Sequence, residues 1–155
     1  MTKATDFGIL LGLAYQGFAG ELREALAAAG FDDLGRSDGY VLRAVDAEAL
    51  TVSELAERLG ISKQGAGQVV DDLERRGYVE RHPDPDDRRA RLLRPAERGT
   101  ALLAAARRFH RSYERRLARD HGADTVQSLR ALLAAIAGMP DDGPAAGPRQ
   151  RTLRI

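Results

Sequence analysis

Residues 50–81 read LTVSELAERLGISKQGAGQVVDDLERRGYVER, and this stretch decides the fold. Thr51 and Glu54 have the spacing of a capping box, in which the hydroxyl and the carboxylate each accept a backbone N–H at a helix start. Gly60 is placed to end that first short helix, and Ser62 is a suitable N-cap for the helix that follows. Two short helices joined by a glycine-containing turn of about three to four residues form a helix-turn-helix.

A hairpin is predicted directly after the second helix of this motif. Residues 78–81 and 91–94 have the composition of two short strands, and HPDPDDRRA at 82–90 is a proline-rich, charged sequence typical of a hairpin tip. A helix-turn-helix followed by such a hairpin is a winged helix-turn-helix.

Further helices flank the motif on both sides. Apolar residues at steps of three and four predict a long helix over residues 6–29, whose broad apolar stripe must be buried by a core or by a second subunit. A second helix is predicted from Ser37, a suitable N-cap, with Tyr40 facing inward. Apolar seams predict two more helices, at about 97–120 and 124–137. The predicted fold is mainly α with a small β-hairpin wing.

Length and composition narrow the class of protein. A chain of 155 residues fits one domain, and the absence of cysteine excludes disulfides, cysteine-based zinc sites and thiol chemistry. The sequence has no long uncharged apolar run and no basic segment before a hydrophobic core, which argues against a membrane span or a secretory signal. We therefore expect a cytoplasmic protein without membrane contact, associated with the nucleoid when it binds DNA. Residues 139–155 are predicted to be a Pro/Gly-rich tail with little structure of its own.

The residues do not assemble into a catalytic or metal-binding pattern. The three histidines lie on separate predicted elements, and neither a phosphate-binding loop nor a nucleophile elbow occurs. Asp84, Asp86 and Asp87 lack the regular alternation and the terminal Glu of a calcium loop. The sequence predicts no enzyme, no metal site and no cofactor.

The second helix of the motif carries side chains suited to reading DNA. Its outward face offers Lys63, Gln64, Gly67 and Gln68; Gln can hold adenine in the major groove, and Lys can contact guanine or phosphate. Gly65 and Gly67 each destabilise a helix by roughly 1 kcal/mol relative to alanine. Close packing between helices is one explanation for both glycines. The interpretation we favour is that the missing side chains let the helix backbone approach DNA.

The hairpin tip is the second cationic element. Arg88, Arg89 and Arg91 are placed to enter a narrow, electronegative minor groove, although a solvated charged turn is the alternative. Residues 62–95 hold eight basic residues against seven acidic ones. Affinity for DNA therefore requires that the fold separate the two signs of charge.

With these elements in place, the chain resembles the MarR family of bacterial transcription regulators over nearly all of residues 6–138. The resemblance is carried by the sequences quoted above at 50–64 and 69–81 and by PDPDDRR at 83–89. Within the last of these, Asp87, Arg88 and Arg89 are similar to the Asp-x-Arg signature of the family's wing.

The resemblance implies an architecture and a function. Residues 1–138 would be one domain, with a DNA-binding lobe at 37–95 and dimerisation helices at 6–29 and 97–138. The implied function is that of a homodimeric transcription regulator, most often a repressor, that binds a pseudo-palindromic operator in double-stranded DNA and is released by a small-molecule ligand. The alternative is a winged-helix module that mediates protein association without tight DNA binding, because the charge of residues 62–95 is nearly balanced.

Two sets of site residues follow. Asp87 and Arg89 are predicted to pair at the wing tip, so that the carboxylate orients the guanidinium. The predicted DNA contacts are Ser37, Ser62, Lys63, Gln64, Gly65, Gly67, Gln68, Arg75, Asp87, Arg88, Arg89 and Arg91. Members of the family commonly bind small aromatic compounds between lobe and dimer helices, which makes Tyr15, Phe18, Tyr40 and His110 candidate ligand contacts. For each of these four residues, ordinary core packing is the alternative.

Overall fold

A computed structural model describes residues 5–139, and in this range it is mainly α-helical with one two-stranded antiparallel sheet. The predicted fold class is confirmed. The predicted tail lies outside the described residues except for Met139. In chain order the elements are α1 (Phe7–Ala28), α2 (Asp38–Ala47), α3 (Val52–Leu59), α4 (Lys63–Arg75), β1 (Val79–Pro83), β2 (Arg91–Pro95), α5 (Glu97–His121) and α6 (Ala123–Ile136).

The helix-turn-helix is built from α3 and α4 by the caps that the sequence predicts. Glu54 donates its backbone N–H to Thr51 Oγ1 at 3.2 Å, and its carboxylate accepts the backbone N–H of Thr51 at 2.7 Å. This backbone hydrogen bond holds the pKa of Glu54 below its usual value. Gly60 ends α3 in the left-handed conformation, with φ 67° and ψ 32°, which glycine adopts freely. Ser62 Oγ then accepts the backbone N–H of Gly65 at 3.0 Å and caps α4.

The wing is a hairpin that starts and ends slightly later than predicted. Val79 lies opposite Pro95 and Pro83 opposite Arg91, so the first strand extends two residues into the predicted tip and the second strand includes Pro95. Leu50, two residues before α3, also joins the hairpin, because Leu93 donates its backbone N–H to the carbonyl of Leu50 at 2.7 Å. This third, one-residue contact was not predicted from the sequence.

The hydrophobic core lies where α2, α3, α4 and the hairpin meet the first half of α5. Its fully buried large side chains are Val41, Leu42, Leu55, Val70, Leu73, Tyr78, Val79 and Leu93. The first turn of α5 packs on the residue before β1: a Cβ added to Gly99 would lie 2.0 Å from the carbonyl oxygen of Tyr78. Only glycine fits this contact, which fixes α5 against the base of the wing.

Two predictions for α2 need correction. The helix begins after Ser37 as predicted, but the Ser37 side chain makes no capping hydrogen bond to the described backbone, because this residue has helical φ and ψ angles. The buried carboxylate of Asp38 instead accepts the backbone N–H of Gly35 at 2.7 Å. Tyr40, predicted to face inward, is 40% exposed, because Asp38 and Leu42 occupy the buried stripe of α2.

Broad apolar faces of α1 and α6 lie open in the single chain. Leu26 is the buried residue of α1, and α6 has none among the described residues. The exposed apolar side chains are Phe7, Ile9, Leu10 and Leu13 on α1, and Leu129, Leu132, Leu133 and Ile136 on α6. Among the helices described, none combines the length and apolar character needed to cross a membrane.

Candidate nucleic-acid interface

The first two turns of α4 present a polar surface on a firmly seated helix. Ala66 and Val70 are fully buried on one side, whereas Lys63, Gln64 and Gln68 are exposed on the other. These three residues, predicted as DNA contacts, therefore share one surface at the start of α4. Ser37, at the start of α2, lines the same shallow groove as Gln68.

The two glycines of α4 differ in their surroundings. A Cβ on Gly65 would lie 3.2 Å from the hydroxyl of Ser62, so this glycine leaves room for the cap. A Cβ on Gly67 would meet nothing within 4 Å beyond its own helix backbone. Packing between the described helices therefore does not account for Gly67, and its backbone stays open to an approaching molecule.

The acidic residues in the second half of α4 are neutralised within the lobe. The ion pairs are Arg81–Asp71 at 2.6 Å, Arg81–Glu74, Arg75–Asp72 and Arg76–Asp72. Arg75, a predicted DNA contact, thus binds Asp72 and lies twelve residues, or roughly 18 Å along the helix, from Lys63. The structure does not bring Arg75 together with the other predicted contacts of α4.

The remaining cations of residues 62–95 lie either at the start of α4 or on the hairpin. Within residues 5–139 they have no acidic partner at 4.0 Å or less, and all are exposed at the start of α4 or on the hairpin. They are Lys63, Arg88, Arg89, Arg91 and Arg94. The acids of α4 are therefore paired with arginines, whereas these five cations are not, and Asp84, Asp86 and Asp87 lie on the same hairpin as four of them.

The wing tip is shaped by two aspartates that bind the backbone. Asp84 Oδ1 accepts the backbone N–H of Asp86, and Asp87 Oδ1 accepts that of Arg89, each at 2.9 Å. The predicted pairing of the Asp87 and Arg89 side chains is wrong, because the short Asp side chain reaches the backbone donor two residues on. Asp87 sets the turn, and the Arg89 guanidinium remains exposed.

A polar cluster behind α4, missed in the sequence, joins the lobe to α5. The Tyr78 hydroxyl donates to Asp33 Oδ1 at 2.5 Å, and Arg76 donates to Asp38 Oδ2 at 2.9 Å. The Arg98 guanidinium lies 4.4 Å from the centre of the Tyr78 ring. Burial, followed by the bond to Asp33, raises the pKa of Tyr78 to about 12, and the Tyr78 hydroxyl holds the pKa of Asp33 below its usual value. No local sequence signal marks this cluster, because its members are separated along the chain.

The four candidate ligand contacts lie near one another where α1, α2 and α5 meet. The hydroxyls of Tyr15 and Tyr40 are 3.4 Å apart, and the rings of Phe18 and His110 are 5.3 Å apart. Arg43, which the sequence did not single out, donates to His110 Nε2 at 2.7 Å. The candidates thus form a half-exposed, mixed aromatic and polar cluster.

The helix-turn-helix, the hairpin and the packing of α5 on the hairpin base define a winged helix-turn-helix protein. A sequence model of the MarR family matches residues 32–90. The structure resembles the transcriptional repressor CouR bound to a 23-mer DNA duplex, with 30% identity and a TM-score of 0.66. The resemblance covers 85% of this chain and 92% of the CouR chain. It also resembles wild-type MarR of Escherichia coli in the apo form, with 25% identity, a TM-score of 0.63 and coverage of 87% and 98%. The chain belongs to the MarR family.

The chain is also similar in sequence to a transcriptional activator, whereas CouR is a repressor. The exopolysaccharide II synthesis transcriptional activator ExpG of Rhizobium meliloti is 31% identical over 119 residues, which are 77% of this chain. The chain spans 60% of the length of ExpG.

Proposed function

We propose that this protein is a transcription regulator that binds double-stranded DNA in a sequence-specific manner. The observation that carries the proposal is the placement of the unpaired cations of the lobe, which among residues 62–95 lie only at the start of α4 and on the hairpin. The resemblance to CouR in its DNA-bound form supports it. Phosphate neutralisation by such cations supplies much of the affinity of DNA-binding proteins.

The start of α4 enters the major groove. Gln64 and Gln68 can each hold adenine with two hydrogen bonds, Lys63 can contact guanine or phosphate, and Gly67 permits close approach of the backbone. The wing reaches a flanking minor groove, where exposed arginines are favoured by the negative potential. Base edges therefore give specificity, and the phosphates set register and affinity.

A second copy of the chain covers the apolar faces of α1 and α6. Exposed apolar surface of this extent on two helices exceeds what soluble monomers usually tolerate. A two-fold homodimer places two α4 helices about 34–36 Å apart, which fits the half-sites of a pseudo-palindromic operator.

The dimer acts as a repressor that a small aromatic ligand releases. CouR, similar over most of both chains, is a repressor, whereas ExpG, similar over a smaller share of its length, is an activator. The cluster around Tyr15, Phe18, Tyr40 and His110 lies between the lobe and the dimer helices. A ligand there that favours another lobe spacing lowers operator affinity by shifting the population.

Selection of bound fragments from random duplex DNA, followed by titrations at several salt concentrations, tests DNA binding. We expect the selected duplex to bind at least about a thousandfold more tightly than a scrambled one. Affinity should fall steeply with salt, by about 0.9 log units per log unit of salt for each phosphate neutralised. Lys63→Gln should lower this slope by about 2 for a dimer, whereas Arg111→Gln, at an exposed position on α5, should leave it unchanged. A shallow salt dependence with no preferred sequence would favour the association module instead.

Sedimentation tests the dimer. Leu133 is 44% exposed on α6 in the single chain, so Leu133→Asp leaves the core of the lobe intact. We expect this variant to weaken dimerisation and operator binding together, and the neighbouring polar change Ser128→Asp to have a smaller effect. A parent protein that sediments mainly at the 16.8 kDa of one chain at low micromolar concentration would contradict the dimer.

A further inference from the structure

A line of polar side chains on α2 connects the DNA-binding lobe to the helices outside it. Tyr40, Arg43 and Asp46 stand three residues apart, so they share one face of α2. We call their contacts with α1 and α5 the polar seam. These contacts are Tyr40–Tyr15 at 3.4 Å, Arg43–His110 at 2.7 Å and the ion pair of Asp46 with Arg107.

The central contact of the polar seam depends on the protonation of His110. Arginine has only donors and stays charged, so His110 Nε2 must accept the hydrogen bond with its lone pair. The imidazole is therefore neutral, with its proton on Nδ1. Protonation of Nε2 would remove the acceptor and place two cations at hydrogen-bond distance.

The groups around His110 reinforce this preference. The uncharged ring of Phe18 packs against it from α1, Arg43 faces it from α2, and Glu114 lies one turn along α5. The Glu114 carboxylate is itself bound to Arg130 of α6. Burial, followed by the charge of Arg43, lowers the pKa of His110, and Glu114 opposes the shift.

We propose that Arg43 and His110 are positioning residues, which hold the lobe at the angle to α1 and α5 that operator recognition requires and release it in mild acid. This inference rests on the DNA-binding function proposed above. It differs from ligand release, because the signal is a proton bound by the protein's own side chain and no other molecule takes part.

The direction of the pH effect follows from linkage. When the lobe opens, His110 loses both its burial and the Arg43 charge, so its pKa returns toward the usual value of 6.5, whereas burial and Arg43 hold the pKa lower while the contact is made. Protons therefore bind the open form preferentially. The contact is fully present above about pH 6.5 and is lost as the pH falls through the lower value.

Operator titrations of matched histidine variants between about pH 7.5 and about pH 5.5 test the proposal. We expect the parent to lose affinity at least roughly threefold over this range. His110→Gln should bind the operator as tightly as the parent does at the higher pH, because its amide oxygen accepts a hydrogen bond from Arg43. Its affinity should be the same within error at the lower pH, because the amide does not titrate. His121→Gln, at the exposed end of α5, should follow the parent.

A second test changes Arg43, the other residue of the contact, and measures the titration of the His110 imidazole by NMR. Arg43→Gln removes the neighbouring charge from an exposed position, so we expect the His110 pKa to rise toward 6.5. An unchanged His110 titration in this variant, or an equal loss of affinity in His110→Gln and the parent, would overturn the proposal. Operator binding that is absent at both pH values in every protein would instead refute the DNA-binding function.

Discussion

Replacing Gly67 with alanine should make the protein more stable and its DNA binding weaker. A Cβ at this position meets no heavy atom within 4 Å beyond its own helix backbone, so the methyl group causes no clash within the described chain. Alanine is favoured over glycine in a helix interior by about 0.8–1.0 kcal/mol. We therefore expect the free energy of unfolding to rise by about 0.5–1 kcal/mol. For a protein of this size, Tm rises by roughly 2–4 °C for each kcal/mol of added stability.

The same methyl group should interfere with a duplex that packs against the start of α4. Gly67 flanks the exposed amide groups of Gln64 and Gln68, so a helix seated in the major groove brings its Cα close to the bases or the phosphates. One extra methyl in a packed interface costs about 1–3 kcal/mol, and each 1.4 kcal/mol is tenfold in Kd. We expect operator binding, measured by fluorescence anisotropy, to weaken by roughly tenfold.

The control for this pair of measurements is Ser112→Ala, which improves helix propensity at an exposed position of α5. It should raise stability by a few tenths of a kcal/mol and leave Kd unchanged. Gly67→Ala that binds the operator as tightly as the parent would show that this surface does not face DNA. In that case Gly67 is only a weak point of the helix.

Three further outcomes are expected. Gly99→Ala should destabilise the fold by about 3 kcal/mol or more in urea unfolding, because a Cβ at 2.0 Å from the Tyr78 carbonyl oxygen must retreat about 1.4 Å to reach ordinary contact at 3.4 Å; an unchanged midpoint would refute the close packing. Asp87→Ala should weaken operator binding although it removes a negative charge, because the Arg89 backbone N–H loses its acceptor; tighter binding would identify Asp87 as a repulsive charge only. The pKa of Asp33 is held below 3.8, so its stabilising contribution is complete above about pH 4 and is lost as the pH falls through the lower value. Asp33→Asn should remove this part of the acid dependence in a circular-dichroism titration, and an identical acid transition would contradict it.

The helices and their caps could be predicted because their signals are local. The capping box at Thr51, the left-handed Gly60 and the Ser62 cap each involve groups within a few residues of one another. Helix bounds accordingly agree with the prediction to within one or two residues. The pairing of Leu50 with Leu93 could not be predicted, because it depends on how α3 packs against the hairpin.

The candidate site was only partly predictable, because even local side chains have alternative partners. Residue types and helical spacing placed Lys63, Gln64 and Gln68 on one surface. They did not indicate that Arg75 binds Asp72 or that the Asp87 carboxylate binds backbone. Both partners lie within three residues in the sequence, and the geometry of the folded chain selects them from the alternatives.

The sequence by itself determined the secondary structure, the winged helix-turn-helix order and the resemblance to the MarR family, because caps, periodicity and motif spacing act over short distances. Only the tertiary structure decided which charges remain unpaired. Arg81 lies on β1, yet it neutralises Asp71 and Glu74 on α4, and Arg43 of α2 meets His110 of α5. Coulomb energy and hydrogen bonding depend on distance in space, and composition carries no information about that distance.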